Sequence, residues 1–183
     1  MDRRFHAALS SGAVYVGLLI VVTALLYAPS LSGGFVYEDR NDPEAFFVAQ
    51  PILPSLRDSM VKPARSLTVW SFRLSGAMSP LDPWGYRVVN LALHLLNTWL
   101  LWLVARRVVS VPAAVLAVGL FALHPVQTES VAYISSRPDL LGLTCVLLGL
   151  WCVERGWWIG AVVACLAAFL AKETFAVACV LVP

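Results

Sequence analysis

Long apolar runs alternate with short polar stretches along this chain. Five runs have the length and composition of helices that cross or enter a bilayer, namely residues 12–28, 88–105, 111–123, 140–153 and 157–171. The third is short for a full crossing, and a further apolar run begins at Thr174 and reaches Pro183. The pattern predicts an all-α, polytopic membrane helical bundle of about five to six spans, forming one module over residues 1–183.

The composition excludes an ordinary soluble domain. Hydrophobic residues make up 60% of the chain and charged residues only 13%, and the mean hydropathy is +0.78. The net charge of +2 comes with no basic stripe, so a nucleic-acid partner is not expected. All four cysteines lie inside apolar runs without metal-ligand spacing and are interpreted as packed thiols: Cys145, Cys152, Cys165 and Cys179.

The charges that flank the runs indicate the orientation. Arg3 and Arg4 precede the first run, and Arg106 and Arg107 follow the second. Because basic residues are retained on the cytoplasmic side of a membrane, the N-terminus is predicted to be cytoplasmic. The polar segment 32–87 then faces the periplasm or the lumen of the endoplasmic reticulum.

This outer segment contains a predicted helix at residues 64–76. Leu67, Trp70 and Leu74 recur there at helical spacing. Two interpretations fit the pattern equally: an amphipathic helix lying on the membrane surface, and a helix packed on neighbouring loops.

The second run carries a polar face of its own. Asn90, His94 and Asn97 have the spacing i, i+4, i+7 and share one side of the helix. Side chains of this kind form hydrogen bonds between membrane helices, which is the first interpretation. The second is that they line a substrate cleft.

On the predicted topology, three separate polar clusters meet on the outer side. They are Glu38 with Asp39, the loop 121–141, and Lys172 with Glu173. Paired carboxylates can act as a general base with an orienting partner or can hold a divalent cation. In the loop and the last cluster, Arg137 and Lys172 suit the phosphate of a lipid-linked substrate. The simpler alternatives are solvated acidic loops and a lysine anchored at the membrane surface.

Four sequence strings at these positions resemble a known family. They are FVYED at 35–39, GYRVVNLALHLLN at 85–97, FALHPVQTESVAYISSRPDLL at 121–141 and LAKE at 170–173. In this order they resemble the N-terminal membrane part of the transmembrane and tetratricopeptide-repeat O-mannosyltransferases and their bacterial relatives. These are GT-C glycosyltransferases, which take a sugar from a polyprenyl or dolichyl phosphate carrier.

The resemblance implies a role for each matching residue. Asp39, paired with Glu38, is implied as the catalytic base that deprotonates an acceptor hydroxyl. The remaining matches are implied to shape the site for the carrier phosphate and the sugar: His124, Glu129, Arg137, Asp139, Lys172 and Glu173. Whether a divalent cation assists is left open by the residues and by the resemblance.

The chain departs from the family pattern at three positions. Glu38 stands where the family commonly has an aspartate, Arg87 where it often has a histidine, and Gln127 where animal members have a histidine. The last favours a bacterial inner membrane over the endoplasmic reticulum. No helical repeat of about 34 residues is present in the printed sequence.

The predicted function is that of a membrane glycosyltransferase. It transfers a sugar, with mannose as the candidate, from a polyprenyl or dolichyl phosphate carrier to a protein or other hydroxyl acceptor on the periplasmic or lumenal face. Two alternatives remain: a non-catalytic membrane module that binds lipid phosphate or a partner protein, and a small transporter or channel subunit. The expected partners are membrane lipid, the carrier-linked sugar and the acceptor.

Overall fold

The computed structural model describes residues 3–34, 65–79 and 82–177, with side chains from residue 12 onward. Every regular element within these ranges is helical. The α-helices are α1 (Arg3–Tyr27), α2 (Ser66–Met78), α3 (Pro83–Val108), α4 (Val111–Leu123), α5 (Gln127–Ala132), α6 (Arg137–Glu154) and α7 (Trp158–Ala171). Short 3₁₀ turns cover Ala28–Ser32, Ile134–Ser136 and Glu173–Val177.

Local sequence signals explain where helix α3 begins and ends. Asp82 is the N-cap of α3, and its side chain accepts a hydrogen bond of 3.0 Å from the backbone N–H of Trp84. Pro83 occupies the first turn, where its missing N–H costs nothing. Helix α3 therefore begins five residues before the predicted run, which starts at residue 88. At its other end, Arg106 and Arg107 complement the negative end of the helix dipole.

Three helical segments are long and apolar enough to cross a bilayer: Gly12–Ser32, Pro83–Val108 and Ile134–Glu154. Helices α4 and α7 are also apolar but contain only 13 and 14 residues. At 1.5 Å per residue, each of these two is shorter than the ~30 Å hydrocarbon core. The prediction of an all-helical membrane protein is confirmed, and the predicted span count of five to six stays a prediction.

Helix α3 lies at the centre of the bundle and packs against α1, α2, α4, α5 and α6. On one side Val16, Trp102, Ala114 and Val118 form a buried cluster where α1, α3 and α4 meet. Helix α7 packs mainly against α6 instead. The thiols of Cys145 and Cys165 are buried, as the packed-thiol interpretation predicted, whereas Cys179 lies outside the described residues.

The polar loops gather at one end of the bundle, which we call the loop end. Here α1 and α7 finish, and α3 and α6 begin. The side chains of Arg87 and Lys172 show that these termini are close together. Arg87, near the start of α3, reaches the carbonyls of Gly33 and Ala132, and Lys172, after α7, reaches Asp139 in α6.

Helix α2 confirms the helix predicted at residues 64–76 and decides between its two interpretations. Thr68, Phe72 and Ser75 are buried, and the helix packs against α3, α6 and α7. Leu74, which belongs to the predicted apolar stripe, is 61% exposed instead. The helix is therefore packed on its neighbours through a face that the apolar spacing did not select.

Two glycines of α6 allow a test of packing near the loop end. A Cβ at Gly142 would lie 2.2 Å from the ring of Phe175, whereas a Cβ at Gly149 would lie 3.6 Å from Ala164, an ordinary contact. We expect Gly142→Ala to lower the melting temperature by several degrees, because overpacking costs about 1–3 kcal/mol. Gly149→Ala, the matched control, should leave it unchanged or raise it, since alanine favours helices. Thermal unfolding in detergent checks both variants, and equal melting temperatures would contradict this packing.

Candidate functional site

Polar side chains of α3 hold the loop 121–141 by its backbone. Four of them lie on one helical face, and each bonds a different carbonyl oxygen at or beside the loop. The pairs are Arg87 Nε with Ala132 at 2.9 Å, Asn90 Nδ2 with Tyr133 at 3.2 Å, His94 Nε2 with Ala122 at 3.1 Å, and Asn97 Nδ2 with Leu140 at 3.0 Å. Buried carbonyls need such partners. Side chains of α3 therefore hold the backbone of the loop in place.

This arrangement confirms the first interpretation of the polar face of α3. Asn90, His94 and Asn97 are fully buried, and their bonds join α3 to the segments around it. Thr144 of α6 extends the network, because its hydroxyl donates to Asn97 Oδ1 at 2.7 Å. These side chains serve packing between helices.

Arg87 has a role that sequence reasoning missed. Its side chain is 3% exposed, and it also donates to the carbonyls of Gly33 and Gly34, just after α1. The Arg87 guanidinium thus connects the segment just after α1 to the end of α5. The only signal in the sequence was its place in the GYRVVN string, where the family resemblance expects a histidine.

Arg137, predicted to contact the carrier phosphate, lies inside the bundle. Arg137 is fully buried, and its guanidinium donates four hydrogen bonds, all to uncharged acceptors. These are Asn90 Oδ1 at 2.8 Å, the Ser71 carbonyl at 3.0 Å, Ser75 Oγ at 2.9 Å and the Tyr86 carbonyl at 2.8 Å. The guanidinium carbon also lies 4.4 Å from the centre of the Phe72 ring.

Two ion pairs join three distant segments at the loop end. Lys172 Nζ lies 2.6 Å from Asp139 Oδ1, and the side chains are 27% and 47% exposed. Arg65, just before α2, forms a two-pronged pair with Glu173 at 2.8 and 3.0 Å. We call these four residues the ion cluster. Sequence reasoning selected all of them except Arg65.

The Arg65–Glu173 pair has a clear electrostatic signature. The hydrogen bond from Arg65 lowers the pKa of Glu173 to about 2, and Glu173 in turn raises the pKa of Arg65. Arg65 also has a left-handed backbone, with φ of 71°. For a residue with a side chain this conformation is uncommon and accompanies tight turns. Because its pKa lies at about 2, the Glu173 carboxylate stays ionised throughout the physiological pH range.

The other predicted site residues lie apart from the ion cluster. His124 and Glu129 are exposed on the loop, and neither forms an ion pair with a described residue. The ring of His124 accepts a hydrogen bond from the N–H of Val126 at 3.1 Å. It also borders an apolar groove of about 480 Å³ between α1 and α4. Glu38 and Asp39 lie outside the described residues.

Metal ligation has no geometric support in this part of the chain. Within residues 12–34, 65–79 and 82–177, no group of three His, Cys, Asp or Glu side chains is close enough to hold a metal ion. Among the described residues, two cationic side chains meet in the ion cluster, Arg65 and Lys172. Their chemistry suits the binding of an anionic oxygen such as a phosphate.

Comparison with known proteins gives consistent matches. The family described as dolichyl-phosphate-mannose-protein mannosyltransferase matches residues 66–182. The chain is 38% identical over 171 residues to the protein O-mannosyl-transferase Tmtc1 of Drosophila melanogaster, which covers 82% of this chain and 20% of the relative. It is 36% identical over 146 residues to Tmtc2 of the same species, covering 68% and 15%. It is 30% identical over 139 residues to TMTC3 of Mus musculus, covering 69% and 15%. No solved structure matches the chain.

The fold and the site define an integral membrane protein, built from helices, with the ion cluster at one end of the bundle. The chain belongs to the dolichyl-phosphate-mannose-protein mannosyltransferase family. It spans a fifth or less of the length of these curated relatives.

The pKa of Glu173 predicts how its ion pair responds to acid. A lowered pKa stabilises the fold above the unfolded value of about 4.3, and this stabilisation is lost as the pH falls towards the folded value of about 2. We expect Glu173→Gln to lower the melting temperature slightly and by the same amount from pH 8 to pH 5, because exposed pairs contribute little. The difference from wild type should shrink below about pH 4. Melting curves of both proteins between pH 3 and pH 8 check this, and a difference that grows in acid would contradict it.

Proposed function

We propose that this chain forms the membrane part of a glycosyltransferase that takes a sugar, with mannose as the candidate, from a polyprenyl or dolichyl phosphate carrier. The observation that carries the proposal is the ion cluster, which brings Lys172 and Arg65 together at the loop end with their two carboxylate partners. The family match and the names of the relatives support the same reaction class. The acceptor is a hydroxyl group of a protein or another molecule.

Lys172 is the residue we assign to the carrier phosphate. Its side chain is 27% exposed, and its contact with Asp139 holds the ammonium group at the end of α7. Arg137 is fully buried and hydrogen-bonded, so the geometry favours Lys172 over Arg137 for direct contact. An ammonium placed there stabilises the charge that develops on the phosphate as it leaves.

Asp39 is assigned as the general base, and this role rests on the sequence resemblance alone. In the proposed step the acceptor oxygen attacks the anomeric carbon, and the bond between that carbon and the phosphate oxygen breaks. The hydroxyl proton passes to the Asp39 carboxylate, and the bonding electron pair leaves with the phosphate, which becomes the more highly charged monoester. The segment that leads to Glu38 and Asp39 follows Gly33 and Gly34, whose carbonyls accept hydrogen bonds from Arg87.

The orientation belongs to the proposal as well. The basic residues Arg106 and Arg107 at the opposite end of α3 favour a cytoplasmic location for that end. The loop end then faces the periplasm or the lumen.

Replacing the proposed base should abolish most of the transfer. We expect Asp39→Asn in the full-length protein to reduce kcat by about 10²–10⁴-fold, because a general base contributes that much. Transfer of radiolabelled mannose from polyprenyl phosphate to a hydroxyl-bearing acceptor peptide measures it. Glu38→Gln is the matched comparison and should cost less. Unchanged transfer by Asp39→Asn would rule out this role.

Replacing the proposed phosphate ligand should weaken use of the donor. We expect Lys172→Ala to reduce kcat/KM for the lipid-linked sugar by about 10- to 100-fold, since a hydrogen bond to a charged group is worth about 1.5–3 kcal/mol. Lys172→Arg should restore part of the loss. Arg107→Ala, an exposed basic residue at the other end of α3, is the control and should have no effect.

Donor binding separates this proposal from the alternative of a non-catalytic module. A protein that binds the lipid-linked sugar through Lys172 but transfers none would support the non-catalytic alternative. Absence of binding by wild-type full-length protein would refute the proposed donor site.

A further inference from the structure

Arg137 connects three helices although it lies at the first turn of only one. Its acceptors are two groups of α2, Ser71 and Ser75, and two groups of α3, Tyr86 and Asn90. Four of its five N–H groups are thereby used, and the side chain is fully buried. A phosphate could reach it only by displacing these bonds.

Helix α2 depends strongly on this contact. Its buried face contains one large apolar residue, Phe72, beside Thr68, Ser75 and Gly76. The Phe72 ring lies beneath the Arg137 guanidinium, 4.4 Å from ring centre to guanidinium carbon. Leu67, Val69 and Trp70 are only half-buried, so polar groups make up most of the fully buried contacts that hold the helix in place.

The start of α2 lies at the ion cluster. The hydroxyl of Thr68 donates to the carbonyl of Ala171 at 2.8 Å, and Arg65 binds Glu173, the residue after Lys172. The position of Arg65 therefore follows the position of the whole helix, which Arg137 holds in the middle.

We infer that Arg137 is a positioning residue of the donor site: it holds α2 on α3 and α6, and so keeps Arg65 beside Lys172. Arg65 is then a second cation available to the carrier phosphate, whereas Arg137 makes no contact with it. This inference rests on the proposed function for its catalytic consequence, and on the buried contacts alone for the placement of α2.

The first test measures the attachment of α2 in the full-length protein. Hydrogen–deuterium exchange of the backbone amides of α2 is compared between wild type and Arg137→Lys. Lysine keeps the charge but carries its donors on a single nitrogen, so it cannot reach all four acceptors. We expect exchange in α2 to become at least ~10-fold faster, while exchange in α4, which Arg137 does not touch, stays unchanged.

A milder pair of variants guards against loss of folding in Arg137→Lys. Ser75→Ala removes one acceptor of Arg137, and we expect a smaller acceleration in α2. Ser71→Ala is the matched control, because the hydroxyl of Ser71 bonds the Thr68 carbonyl within α2 while its own carbonyl remains for Arg137. Equal exchange in α2 for wild type, Ser75→Ala and Arg137→Lys would overturn the inference.

The second test is a double-mutant cycle on the KM for the lipid-linked sugar. We expect Arg137→Lys and Arg65→Ala each to raise this KM about 3- to 10-fold with little change in kcat. The double variant should be no worse than the poorer single one, because Arg137 acts through the position of Arg65. Additive effects, or a raised KM without faster exchange in α2, would instead make Arg137 a direct ligand and overturn the inference.

The two tests separate failure of this inference from failure of the proposed function. If wild type transfers sugar and Lys172→Ala lowers kcat/KM as expected, but Arg137→Lys leaves exchange in α2 unchanged, only the inference fails. If wild type transfers no sugar, the proposed function and the role of Arg65 fail together, and the exchange measurement still decides whether Arg137 holds α2.

Discussion

The loop end depends on the burial of a guanidinium group without a carboxylate among its hydrogen-bond partners. Moving a charge out of water is costly, and the cost is offset only where the charged group finds hydrogen-bond partners inside the protein. Arg137 meets this condition with the amide of Asn90, the hydroxyl of Ser75 and two backbone carbonyls. Because these acceptors come from α2 and α3, satisfying the charge also determines how three helices meet.

The polar face of α3 solves a related problem for the loop 121–141. Backbone carbonyls that lack partners are expensive in an apolar environment, so an irregular loop near membrane depth must be bonded by protein groups. Arg87, Asn90, His94 and Asn97 supply those bonds from one side of a single helix. The loop is thus held by one helix, and the partly exposed ion cluster lies at the same end of the bundle.

This division gives the charged residues two kinds of role. Buried cations such as Arg87 and Arg137 bind the protein's own oxygens and stabilise the architecture. Partly exposed cations such as Lys172 and Arg65 have carboxylate partners, which the incoming phosphate replaces under the proposed function. A site for a lipid-linked phosphate needs both, because a ligand at a membrane surface is recognised well only by groups held in place.

The sequence by itself determined the helical membrane class and the positions of the apolar helices, because hydropathy and helical periodicity are local properties. It also placed Asp139, Lys172 and Glu173 in one predicted site, but together with His124, Glu129 and Arg137, which lie apart from the ion cluster. Only the tertiary structure decided that Arg137 is buried and that Arg65 joins the ion cluster, since both depend on how α2 packs. The sequence alone cannot tell whether an arginine binds a phosphate or a backbone carbonyl, because the residues packed around it determine which oxygen atoms its guanidinium contacts.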